Sequence, residues 1–141
     1  MAEFKIVIND VKTGKTYQKD LSDESLIGKK IGDKVNGDLI GLNGYELEIT
    51  GGSDSAGFPM HKSLESSGRK KALLSGAPGV HIKRKGMKAR KTIRGNVISD
   101  QVVQINMKIV KYGKEKLEKL LGLEPEETPK EEVKAEEKTS E

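Results

Sequence analysis

The sequence predicts a mainly β domain, a small antiparallel barrel or curled sheet, followed by a short C-terminal α-helix and a disordered acidic tail. Three observations lead there. Apolar and polar residues alternate with a period of two in several short segments. Glycine, asparagine and aspartate separate those segments, as short, strongly turned strands require. The last residues, 124–141, contain almost nothing apolar except Val133 and Ala135, too little to bury in a core. The expected division is a β-rich domain over 1–112, a helix over 113–123 and a tail over 124–141.

Phe4, Ile6 and Ile8 alternate with Lys5, Val7 and Asn9, the pattern of a half-buried first strand. Thr13 to Lys15 then makes the turn into a second strand around Tyr17, so a hairpin opens the chain. Ser22 to Gly28 fits one helical turn capped by Ser22, and fits a tight loop equally well. Short strands are expected at 31–35 and 38–42, joined at Asn36-Gly37, because this dipeptide favours tight primed turns. Tyr45, Leu47 and Ile49 alternate with Glu46 and Glu48, giving a strand that ends at Gly51-Gly52. Further strands are expected at 71–75 and 92–98, with the turn GlyAlaProGly between them at 76–79. The most regular alternation is the last: Val103, Ile105, Met107 and Ile109 against Gln104, Asn106 and Lys108. Leu117, Leu120 and Leu121 share one side of the expected helix, which carries a Glu115–Lys119 pair and stops at Gly122.

A chain of 141 residues with 33% hydrophobic and 4% aromatic residues has room for one modest core, so folded and unfolded parts are expected to coexist. There is no cysteine, which excludes disulfides, thiolate metal sites and cysteine nucleophiles and fits a cytoplasmic protein. No apolar run approaches the roughly 20 residues needed to cross a bilayer, and the N-terminus lacks the layout of a signal peptide.

Charge is the most informative property, because it is segregated. Residues 1–60 carry seven basic and ten acidic groups, and the tail carries three and eight. Between His61 and Asn96 stand eleven Lys or Arg against the single acid Glu65, a local net charge of +10 in a chain whose total is +4. Charge so concentrated repels itself and calls for a polyanion. Glycine, proline and scattered Ala and Ile deny the block a helical period, so it reads as loops and extended arms that an anion would order. A membrane surface is the competing polyanion, but no Trp, Phe or Leu stripe accompanies the charge. Nucleic acid is the better partner. Phe58 and His81 are available for stacking, yet aromatics are too sparse for a single-strand platform, so phosphate contacts to structured RNA are expected. The candidate RNA-binding residues are Arg69, Lys70, Lys71, Lys83, Arg84, Lys85, Lys88, Arg90, Lys91 and Arg94.

The stretch GGSDSAGFPM, 51–60, invites a phosphate-loop reading, but Gly57 is followed by Phe58 and Pro59 where a Walker loop needs lysine and a hydroxyl. Gly51 and Gly52 are read either as positive-φ residues at a strand end or as points where RNA approaches the backbone. His61 and His81 are too few for a structural zinc without cysteines, although a carboxylate such as Asp54 is near in sequence. Serines are plentiful, but none sits in a nucleophile elbow. No catalytic residue, metal, cofactor or small-molecule substrate is expected.

Several segments resemble those of a known family: FKIVINDVKTGKTY, LIGKKIGD, GGSDSAGFPM, GRKKALLSGAPG, KGMKARKTIRGN and VVQINMKIV, in that order. The chain resembles small-subunit ribosomal protein six of the archaeal and eukaryotic type over about residues 1–112, most specifically through GGSDxxGFPM and RKTIRGN. The resemblance implies a β-rich domain built into the small ribosomal subunit, contacting ribosomal RNA and neighbouring ribosomal proteins and lacking catalysis. Eukaryotic members continue into a long basic helix with regulatory phosphoserines, whereas this chain ends in an acidic tail, so the archaeal form is expected. The alternative function is a nucleic-acid-binding regulator acting outside the ribosome.

Overall fold

A computed structural model describes residues 3–76, 78–113 and 117–121. Seven strands form two sheets: β1 Phe4–Asn9, β2 Thr16–Leu21, β3 Lys34–Asn36, β4 Glu46–Asp54, β5 Arg69–Leu74, β6 Ala89–Arg94 and β7 Val102–Lys111. The main sheet has the order β2-β1-β7-β4-β3, and β5 and β6 pair separately as a two-stranded arm. The fold is mainly β, as expected, but among the described residues the sheets are open and no barrel closes. Nor is the main sheet wholly antiparallel, because the first and last strands, β1 and β7, lie side by side in parallel. The long intervening chain acts as their crossover, which a run of hairpins could not supply.

The core lies on one face of the main sheet, formed by Phe4, Ile6 and Ile8 of β1, Leu47 and Ile49 of β4, and Ile105, Met107 and Ile109 of β7, all buried. Loops rather than a second sheet cover it: Leu26, Ile40, Leu42, Met60 and Ile98 pack onto the strands. Two of these covers come from short 3-10 turns, Glu24–Leu26 and Gly37–Ile40. The first is preceded by Asp23, not Ser22, and has no side-chain cap.

The second turn corrects the expected strand at 38–42. Asn36-Gly37 does not make a primed turn, since Asn36 has φ -70°. Gly37 is needed for close packing instead: a Cβ there would run into the Leu42 carbonyl oxygen and come within 2.9 Å of the Tyr45 Cβ.

β4 also runs past Gly51-Gly52 to Asp54, because three register shifts against β7 let it bend without ending. The shift between Ser53 and Asp54 leaves Val103 outside the pairing, so Val102 takes the core position that simple alternation assigns to Val103. A single helical turn, Leu117–Leu120, is described, with Leu117 buried against the core, and the longer helix expected over 113–123 is not shown. The Glu115–Lys119 pair and the tail lie outside the described residues. Among the described residues no helix is long and apolar enough to cross a membrane.

Candidate nucleic-acid interface

The basic block is positioned by one acid. Asp54 sits at the end of β4, turned inward by the register shift, and its carboxylate is fully buried. Oδ1 accepts from the Ala56 amide at 2.9 Å and the Phe58 amide at 3.0 Å, which folds the SerAlaGlyPhe turn around it. Gly57 takes the left-handed conformation this turn demands, with φ 82°. Oδ2 accepts from Arg69 Nε at 2.5 Å and from Arg94 Nη1 at 3.3 Å, one arginine from each strand of the arm. Burial pushes the Asp54 carboxyl up, but the bonds from Arg69, the two amides and Arg94 outweigh it and hold the pKa below its ordinary value.

Arg94, expected to grip phosphate, is instead a core residue. It is 1% exposed, and besides Asp54 its guanidinium donates to the Ser67 carbonyl at 2.9 Å and to Ser99 Oγ at 2.6 Å. A cation so enclosed is unavailable to a phosphate. The two residues that follow it are equally internal. Gly95 lies under Ser66 so closely that an added Cβ would overlap the Ser66 carbonyl, and Asn96 Nδ2 donates to the Lys62 carbonyl at 3.2 Å. Backbone bonds complete the clamp on the loop at 61–68: His61 N to Arg94 O, Asn96 N to Leu64 O and Gly95 N to Gly68 O.

The other predicted cations are on the surface. Lys70, Lys71, Lys83, Arg84, Lys85, Lys88, Arg90 and Lys91 are all exposed. Arg69 is partly so, its side chain 39% exposed with the guanidinium carbon 5.2 Å from the Phe58 ring centroid. The antiparallel register distributes the arm's charges over two faces. Lys70 and Lys91 lie on the face of Ile93, while Lys71 and Arg90 lie on the face of Thr92 and Leu73. Lys83 to Lys88 occupy the loop joining the strands, where Met87 N bonds Arg84 O in a turn.

Gly51 and Gly52 differ from each other. Neither has positive φ. At Gly52 an added Cβ would run into the Gln104 carbonyl of β7, so its missing side chain is accounted for within the sheet. At Gly51 a Cβ would meet nothing within 4 Å. Asp54 is the organising residue that sequence reasoning did not single out. Its signal was present, as the one acid of a glycine-rich loop directly ahead of the basic block.

An open β sheet bearing a cationic two-stranded arm defines a class: small basic β proteins whose exposed charge suits a polyanion. The model of the family "ribosomal protein S6e" matches residues 4–122, and the chain belongs to that family. Small ribosomal subunit protein eS6 of Methanocaldococcus jannaschii is 49% identical over 124 residues, covering 88% of this chain and 95% of that protein. The Methanothermobacter thermautotrophicus protein of the same name is 47% identical over 124 residues, with 87% and 98% covered. That of Archaeoglobus fulgidus is 48% identical over 122 residues, with 84% and 95% covered. These relatives are archaeal, in keeping with the archaeal form expected from the acidic tail.

Proposed function

We propose that this protein is a structural constituent of the small ribosomal subunit that binds ribosomal RNA through its basic arm and loop, among neighbouring subunit proteins in the cytoplasm. Membership of the S6e family carries the proposal, supported by the relatives' name. The role is structural rather than catalytic. Lys70, Lys71, Lys83, Arg84, Lys85, Lys88, Arg90 and Lys91 make the phosphate contacts, with Arg69 contributing what its bond to Asp54 leaves free. Exposed cations on both faces of the arm let it lie between two RNA segments, neutralising each without reading base edges. Gly51, open on its outer side, admits an RNA backbone.

The test is co-sedimentation. Tagged protein expressed in its host should travel with small subunits at physiological salt and cross-link to their RNA through the arm. Protein that stays at the top of the gradient would refute the proposal.

A further inference from the structure

A groove of about 380 Å³ lies between the Gly57–Pro59 turn, the Pro78–Gly79 turn and β6. Phe58, Pro59, Pro78 and Ile93 line it, with Arg90, Lys91 and Thr92 of β6 contributing the rest of that side. The volume falls near the lower end of small-ligand clefts, about 300–1,000 Å³. Apolar surface beside a cation is the chemistry that accepts a nucleotide: the base stacks and the phosphate is neutralised. Lys91 belongs to the same face of the arm as Ile93, so its ammonium is on the groove side.

The groove is built rather than incidental. Phe58 is fixed from both sides of its peptide, its amide donating to Asp54 Oδ1 and its carbonyl accepting from the Asp54 amide at 3.1 Å. Pro59 is fixed to β6 by the Arg94 amide, 2.9 Å from its carbonyl. The Pro78–Gly79 turn closes the far side on Pro59, whose Cγ would be 3.3 Å from a Cβ at Gly79. Arg69 lies against the Phe58 ring, adding a cation to the stacking surface.

We propose that this groove holds one unpaired nucleotide of the bound RNA, its base against Phe58 and the prolines and its phosphate on Lys91. This rests on the RNA-binding role proposed above and adds a contact that phosphate neutralisation alone does not make. The test compares a short RNA hairpin with the same hairpin carrying one bulged 2-aminopurine, using the full chain at a single salt concentration. The bulged RNA should bind about 5- to 150-fold more tightly, the range that stacking of one base on an aromatic residue gives. Phe58→Leu should bring that ratio close to one, with a thermal melt confirming its fold. Adenosine monophosphate titrated into the wild-type protein should shift the amide resonances of Gly57, Phe58 and residues 90–93, a readout that needs no variant. Equal affinity for the two RNAs, with a normal salt dependence, would overturn the groove and leave the RNA-binding role standing. Failure to bind either RNA would overturn both. Shifts confined to the loop at 83–88 would likewise exclude the groove.

Discussion

Asp54 and Arg94 are forty residues apart in the chain and meet in the interior, Oδ2 to Nη1 at 3.3 Å, with side chains 0% and 2% exposed. This pair ties the cationic arm to the main sheet. Asp54→Ala would leave the Arg94 guanidinium buried beside no anion, a loss of about 3–5 kcal/mol for a broken buried pair. In a domain of this size that lowers the melting temperature by at least about 10 °C. A melt within a few degrees of wild type would show that the pair does not hold the arm.

The same carboxyl makes stability depend on acid. The folded pKa of Asp54 lies below its ordinary value of 3.8, and so does that of Asp10. For Asp10, burial pushes the carboxyl up, but the Thr13 and Tyr112 hydroxyls and the Lys12 amide outweigh it. The unfolded chain therefore takes up protons first, so the stabilisation is complete above the ordinary carboxylate pKa and is lost as pH falls through the folded values. The melting temperature should be flat from about pH 7 to 5 and fall below about pH 4. Melts across this range should show a shallower acid decline for Asp54→Asn, and a decline as steep as wild type would assign the effect to other groups.

Glycines separate packing from binding. Gly95→Ala forces a Cβ into the Ser66 carbonyl, which belongs to backbone and cannot swing away. Overpacking of this kind costs typically about 1–3 kcal/mol and more where the backbone must move. Gly51→Ala has open space and an ordinary φ, so its melting temperature should match wild type. If RNA approaches the backbone at Gly51, the same variant should weaken RNA binding. Unchanged affinity would remove Gly51 from the interface.

Much of the fold was legible because burial follows period two: Phe4, Ile6 and Ile8, and Ile105, Met107 and Ile109, are buried as alternation requires. Alternation failed where β4 and β7 shift register, since a bulge moves every following side chain to the other face and leaves no mark in composition. The parallel pairing of β1 with β7 was equally hidden, because it joins segments from opposite ends of the domain. At the site, charge density located the arm but did not distinguish solvated cations from one buried against an acid. Arg94 belongs to the same run as Arg90 and Lys91, and only the inward turn of Asp54 sets it apart.

The grip on RNA should be countable from its salt dependence. Each phosphate neutralised contributes about -0.7 to -0.9 to the slope of log K against log salt, so five simultaneous contacts give roughly -3.5 to -4.5. Replacing Lys83, Arg84 and Lys85 together with Ala should make the slope shallower by about two to three units. These three side chains are exposed and sit in the loop of the arm, so the melting temperature of the triple variant should stay near wild type. Arg94→Lys should behave in the opposite way. A lysine loses the fork that reaches Asp54, Ser67 and Ser99, so the melt should drop while the salt slope of the folded fraction holds. Lys12, over the Tyr112 ring at 4.0 Å in the first hairpin, should leave the slope unaltered when changed to Ala. An unaltered slope in the triple variant, measured on an RNA it still binds, would place the phosphate contacts on Lys70, Lys71, Lys88, Arg90 and Lys91 instead of on Lys83 to Lys85.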